Sequence, residues 1–196
     1  MNTVTIRTEG TEITVSDGNV AVQRIQPGPQ AVFTDDLPCA NPFPTAGHTK
    51  ILADGTMVDG TATRTDHVAV VDRSTGLMWA VESIGDEDGD SQDHAACTKA
   101  CADLRLLGYD DWRMSTRAEL AALVDDTRRN PAIDTDLFPR VKPSWHWTST
   151  ALAPEDGGPV AGSSASAWGV NFSYGGVGDG RRGGDGFALA VRRAGQ

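Results

Sequence analysis

Alternation dominates the first part of the chain. Thr3-Val4-Thr5-Ile6-Arg7 and Glu12-Ile13-Thr14-Val15 place β-branched residues at every second position, and Ser16-Asp17-Gly18-Asn19 supplies a turn before Val20-Ala21-Val22. Successive side chains of a strand point to opposite faces, so this period of two predicts three short strands within residues 1–35. Pro38, Pro42 and Pro44 then punctuate residues 35–47, which read as a linker or an ordered irregular loop. A boundary placed there separates a small β segment over 1–45 from a larger domain over 46–196.

In the larger domain the period changes repeatedly. Val68-Ala69-Val70-Val71 reads as a buried strand, and Asp72-Arg73-Ser74-Thr75-Gly76 turns it into Leu77-Met78-Trp79-Ala80-Val81. Residues 91–106 predict a helix with Cys97, Cys101 and Leu104 on one stripe and Ala96 and Ala100 beside it. A second helix begins at Thr116-Arg117-Ala118-Glu119, the spacing at which Thr and Glu cap each other's backbone amides. Leu120, Leu123 and Val124 form its apolar face, and Asn130-Pro131 ends any continuation. Strands follow at 145–149, 167–172 and 187–191, with a polar loop over 173–186 between the last two. The order predicts an α+β domain of two helices and short, mostly antiparallel strands, whose first and last parts share one sheet. Within 167–172, alternation places Trp168, Val170 and Phe172 toward the core and Gly169, Asn171 and Ser173 outward.

Composition narrows the function classes. A hydrophobic fraction of 39% with five Trp fills a real core, while 22 Gly and 10 Pro imply many turns. A net charge of -10 argues against a general affinity for nucleic acid or anionic membranes. No apolar run reaches the roughly 18 residues of a membrane span, and Met1 to Arg7 lacks a charged-then-apolar signal pattern. Export by a cleaved signal is therefore not expected, though passage out of the cell within a larger particle stays open. Three cysteines do not make a disulfide framework. Cys97 and Cys101, four apart, read as small buried hydrophobes rather than a redox pair, with a pairing of Cys39 to either left open.

The usual chemical signatures are weak. Asp86, Asp88 and Asp90 have the odd-position spacing of a calcium loop, but Ser91 and Cys97 stand where that loop needs Gly and Glu. His48, His67, His94 and His146 have no ligand spacing, so no metal and no cofactor are assigned. Gly178-Asp179-Gly180-Arg181-Arg182-Gly183 matches the dinucleotide fingerprint formally, yet no helix can follow it. Nucleophile-elbow, zinc-protease and Cys–His signatures are absent. Trp79, Trp112, Trp147 and Trp168 read as core; Trp145 is the exception, free for ligand stacking.

Several anchors keep a fixed order: Asp72-x-x-Thr75-Gly76-Leu77-Met78-Trp79, the run from Cys101 through Gly108-Tyr109 to Asp111-Trp112-Arg113, and Thr116 to Leu120. Pro131 to Asp134, Phe138-Pro139, Trp147 to Thr150, Ala167 to Phe172 and Val191-Arg192 continue the series. Over residues 65–193 this set resembles the Lcl C-terminal domain family. The resemblance implies a C-type-lectin-like fold, distantly similar to formylglycine-generating enzymes. It also implies adhesion or ligand binding, and some such proteins are the variable proteins of diversity-generating retroelements, rewritten in their C-terminal segment. Ala190 stands where the family often carries a cysteine able to bridge to Cys101, so that bridge is absent. The reactive cysteines of the enzymes are absent too, since none follows Cys101.

A non-enzymatic display protein is therefore expected, with a protein or glycan ligand, no nucleic acid, no membrane insertion and an open question of homo-oligomerisation. Its expected contact residues are Gly169, Asn171, Ser173, Tyr174, Gly175, Gly176, Gly178, Asp179, Gly180, Arg181, Arg182, Gly183, Gly184 and Asp185. Tyr and Arg dominate binding hot spots, and Gly permits tight loops. Tyr, Gly, Asp, Ser, Asn and Arg are also reachable by randomising adenines in Asn-type codons. The alternatives are a structural or adhesion subunit of a phage fibre or surface appendage, assembled through the N-terminal strands, and, less favoured, an enzyme on the same fold.

Overall fold

Residues 3–8, 11–16 and 19–23, as strand backbone, together with 47–153 and 165–195, are the parts of the chain that the computed structural model describes. Cys39 and the proline-punctuated stretch up to residue 46 lie outside them. The chain divides into two units, Met1–Ala40 and Asn41–Gln196. In the first, β1 (Thr3–Thr8), β2 (Thr11–Ser16) and β3 (Asn19–Gln23) form an antiparallel meander in which Val4 faces Val15 and Ile13 faces Val22.

The second unit is α+β. Its larger sheet contains β4 (His48–Ile51), β5 (Met57–Asp59), β6 (Ala69–Asp72), β7 (Leu77–Ala80), β8 (Arg113–Met114) and β13 (Ala190–Arg193), in the order β5-β4-β6-β7-β13-β8. The first and last strands of the unit thus share one sheet. The smaller sheet runs β11 (Gly176–Arg181), β10 (Ser166–Asn171), β9 (Trp145–Ala151), β12 (Phe187–Ala188). Two helices, α1 (His94–Asp103) and α2 (Arg117–Ala121), complete the described elements.

Local chemistry sets the boundaries. The β6–β7 turn closes because Asp72 Oδ1 accepts from the Ser74 amide at 2.9 Å and from its hydroxyl at 2.6 Å, while Gly76 takes φ 67°. Asp93 Oδ1 accepts from the Ala96 amide at 2.8 Å and so starts α1, and extended backbone at Leu104 stops it. The helix is accordingly shorter than the 91–106 stripe suggests. α2 carries the expected capping box: Glu119 accepts from the Thr116 amide at 2.8 Å, and Thr116 Oγ1 accepts from the Glu119 amide at 3.3 Å.

The Arg113 guanidinium adds a two-point hydrogen bond to Glu119 at 2.7 and 2.9 Å, and with the capping bonds it lowers this carboxyl to about 2. An unfolded Glu titrates near ~4.3. A depressed folded value means that the stabilisation is complete above that pH and is lost as pH falls toward the folded value. Glu119→Gln is therefore expected to melt below wild type at pH 7, with the gap closing by about pH 2 in thermal melts followed by circular dichroism. A gap that stayed constant would remove the charge from the explanation.

Two buried clusters lie on either side of β7, all four residues of which are buried. Trp79, Leu120, Ile133, Phe138, Phe172 and Leu189 belong to one; Met78, Cys97, Cys101, Trp112, Trp147 and Ala190 belong to the other. A central strand covered on both faces reads as a continuous apolar run, which Leu77-Met78-Trp79-Ala80 is.

Three expectations need correction. The run 187–191 is two strands, β12 pairing parallel with β9 and β13 antiparallel with β7 and β8, because the chain changes sheets at Leu189. The supposed loop over 173–186 contains β11, paired with β10 along its whole length. Gly169 does not face outward but is buried, and Trp168 is only half-buried.

Candidate functional site

The β10–β11 hairpin has two unlike faces. Register pairs Gly169 with Gly178 and Ala167 with Gly180 across β10 and β11, and Gly169 with Trp147 and Asn171 with Trp145 across to β9. Side chains alternate along strands, so the indoles of Trp145 and Trp147 project over small or absent side chains on β10 and β11. A Cβ at Gly169 would lie 2.3 Å from Trp145 Cζ2, one at Gly180 3.1 Å from Trp147 Cη2, and one at Gly186 2.7 Å from Trp147 Nε1. The two indoles meet edge to face, with centroids 5.6 Å apart. Tyr174, 57% exposed, continues this row: its ring occupies the space beside Gly176, 2.2 Å from where a Cβ would stand. Gly169, Gly176, Gly178 and Gly180 are thus a floor for aromatic rings, not loop hinges.

The other face of β11 carries Val177, Asp179 and Arg181, all exposed, in strict alternation with the glycines. Asp179 lies opposite Trp168 in register, and the Arg117 guanidinium covers the Trp168 ring at 3.9 Å from its centroid. Val177 and the Trp168–Arg117 pair are not among the contact residues expected from sequence, although the Gly-Val-Gly-Asp-Gly-Arg alternation at 176–181 is the signal for a strand with an outward row.

The hairpin ends are tied down. Asn171 Oδ1 accepts from the Ser173 amide at 2.9 Å, and the Asn171 carbonyl accepts from the Gly175 amide at 2.8 Å. Ser173 donates its hydroxyl to the Pro143 carbonyl at 2.7 Å, and its own carbonyl accepts from the Asn130 amide at 3.1 Å. Gly175 takes φ 81° and abuts Val124, so its role is steric. Asn171, Ser173 and Gly175 therefore shape the tip, and all three are half-buried. At the far end Gly183, Gly184 and Asp185 form an exposed turn. Arg182 is half-buried: its carbonyl accepts from the His94 amide at 3.0 Å and its Nη1 lies 3.5 Å from His94 Nδ1. His94 Nε2 faces the Thr148 carbonyl at 2.9 Å and so must be the protonated nitrogen, leaving Nδ1 to accept from Arg182. Arg182 thus fastens this turn to α1, while Arg181 is displayed.

Among the described residues, the two cysteine thiols and His146 are enclosed. Burial pushes the free thiols of Cys97 and Cys101 up to about 12. In a Cys39→Ser chain, a thiol reagent at pH 8 is expected to find no fast-reacting group in the native state and two after unfolding in guanidinium. Ser83 donates to His146 Nε2 at 2.7 Å, and His146 Nδ1 donates to the Ser144 carbonyl at 3.0 Å. This is the outline of a nucleophile and its base, but burial lowers His146 to about 4, far from the near-neutral value that base catalysis needs. Asp86 Oδ1 accepts from the Asp88 and Asp90 amides at 3.0 and 2.7 Å, closing the acidic loop on itself. Gly178 to Gly183 lies in β11 and its exit turn, and the next element is a strand, not the helix that the dinucleotide fingerprint must open.

A family model described as the Lcl C-terminal domain matches residues 68–192. Nothing among curated proteins matches the chain.

Proposed function

The chain belongs to the Lcl C-terminal domain family, and on that premise we propose that it is a non-enzymatic ligand-binding protein that displays the outer row of β11 to a protein or glycan. The row Val177, Asp179, Arg181 is the contact surface, flanked by Trp168 with Arg117 and by Tyr174 at the tip. The observation that carries this reading is the pairing of an exposed, chemically mixed row with a glycine back face locked under indoles. A strand held from behind loses little conformational entropy on binding, so its side chains are pre-organised. The same division lets the outward positions change without disturbing the floor, which suits a segment whose sequence is diversified. Among the described residues, the low basicity of His146 and the enclosure of the Cys97 and Cys101 thiols support this reading.

Panning the wild-type chain against a glycan array and a displayed peptide library tests the reading. Val177→Ala/Asp179→Ala/Arg181→Ala is expected to weaken the selected ligands at least ~10-fold, as loss of hot-spot side chains does. Its melting temperature is expected to stay within about 2 °C of wild type, because the altered side chains are exposed. Ligands indifferent to these substitutions would move the site elsewhere; a collapse of stability would make the row structural.

A further inference from the structure

A second recess lies away from the hairpin, beside the end of β7 and the C-terminal end of α1. It has a volume of about 480 Å³, within the range of small-ligand sites. Its floor is apolar: Val68, Ala80, Ile84, Leu104 and Leu106. Its lip is acidic, with Glu82, Asp86, Glu87 and Asp88 against Arg140 in the lining and Lys142 at the edge, whose ammonium donates to the Gly89 carbonyl. Arg140 is already committed, donating to the His67 carbonyl at 2.7 Å and lying 3.4 Å from Glu82. Asp86 is committed to its own loop amides. The carboxylates of Glu87 and Asp88 make no hydrogen bond or ion pair with any described residue.

We propose that this recess takes lysine or arginine side chains of a basic peptide segment, with methylene stems on Ile84, Leu104 and Leu106 and cationic heads at Glu87 and Asp88. Long basic side chains combine an apolar stem with a charged tip, and that is the complement of an apolar floor below an acidic lip. A neutral apolar occupant would leave the lip unanswered, and an anionic one would be repelled. The carboxylates are strung along the chain from Glu82 to Asp88 and, among the described residues, no three acidic, His or Cys groups converge as a metal site would require. A row of charges fits a row of basic side chains better than one small cation.

The test uses the full chain and a fluorescein-labelled peptide, acetyl-Ala-Lys-Leu-Arg-Ala-Lys-amide, with binding read by fluorescence anisotropy at low and high salt. Wild type is expected to bind, with affinity falling as salt screens the pair. Glu87→Gln/Asp88→Asn is expected to weaken binding at least ~10-fold, the loss of about 1.4 kcal/mol or more. A remote pair of equal charge change, Asp54→Asn/Asp110→Asn, and the β11 triple variant are both expected to leave it within about twofold. Equal weakening by both acidic pairs would reduce the effect to bulk charge and overturn the proposal. So would no binding at all, or spermidine competing with the same dependence on Glu87 and Asp88. Because the β11 variant is read in the same assay, failure here and failure of the display surface are separable.

Discussion

Gly169→Ala is expected to cost about 3 kcal/mol of stability, the upper end of overpacking penalties, while leaving the outward row of β11 chemically untouched. The added methyl would stand 2.3 Å from Trp145 Cζ2 and 2.7 Å from the His146 carbonyl oxygen. The first neighbour is a ring wedged edge to face against Trp147; the second is backbone of the central strand of the small sheet. Neither gives way cheaply. At roughly 2–4 °C per kcal/mol for a unit of this size, the melting temperature should fall by about 6–12 °C. Gly183→Ala is the matched control, because nothing lies within 4 Å of its Cβ and its φ is not positive. Its change is expected within about 0.5 kcal/mol. Trp145→Ala combined with Gly169→Ala should recover part of the clash, and only part, since the His146 carbonyl remains. Gly169→Ala as silent as Gly183→Ala would mean that the indoles do not rest on a glycine floor.

The same site shows what could be read from sequence and what could not. The Asp72 to Gly76 turn and the Thr116–Glu119 cap were legible because each is closed by atoms within four residues of one another. The two helices, the β6–β7 hairpin and the α+β order follow from periodicity for the same reason. β11 has the composition of a loop because three of its six residues are glycine, a residue depleted in strands. What makes those glycines suitable is the pair of indoles on β9, some thirty residues earlier, and no local pattern encodes that partnership. Burial of His67, His94 and His146 was equally hidden. Their partners are the Leu137 and Thr148 carbonyls and the Ser83 hydroxyl, all more than fifty positions away. Tyr174 and Arg181 are exposed as their polar, glycine-rich surroundings imply, whereas nothing local separates Arg182 from Arg181; the His94 contact does.

Arg192→Met is expected to lower stability by about 2 kcal/mol, the scale of a charge-assisted hydrogen bond, because the Asp111 carboxylate it leaves behind is 40% exposed. Arg192 is only 2% exposed, on a strand flanked by β7 and β8. Its Nε donates to Asp111 Oδ1 at 2.5 Å, and its guanidinium lies 3.6 Å from the centroid of the Tyr109 ring. Gly108 to Arg113 and Val191-Arg192, anchors far apart in sequence, are thereby one structural unit. Methionine keeps most of the apolar stem, so the loss reports the charge and the ring contact rather than a cavity; Arg192→Ala, which also opens a void, should cost about 1 kcal/mol more. The Arg192 hydrogen bond lowers the pKa of Asp111. With a depressed folded value, its contribution is present above the ordinary carboxylate range and is lost as pH falls through that folded value. The gap between wild type and Arg192→Met should therefore narrow in acid. It should not vanish, because the guanidinium still covers the Tyr109 ring. A cycle with Asp111→Asn, read by urea denaturation at pH 7, is expected to give a coupling of about 1 kcal/mol, since solvent screens the exposed carboxylate. Strict additivity would show that the two anchors are neighbours without being partners, and the link between the Tyr109 turn and the last strand would have to come from backbone pairing alone.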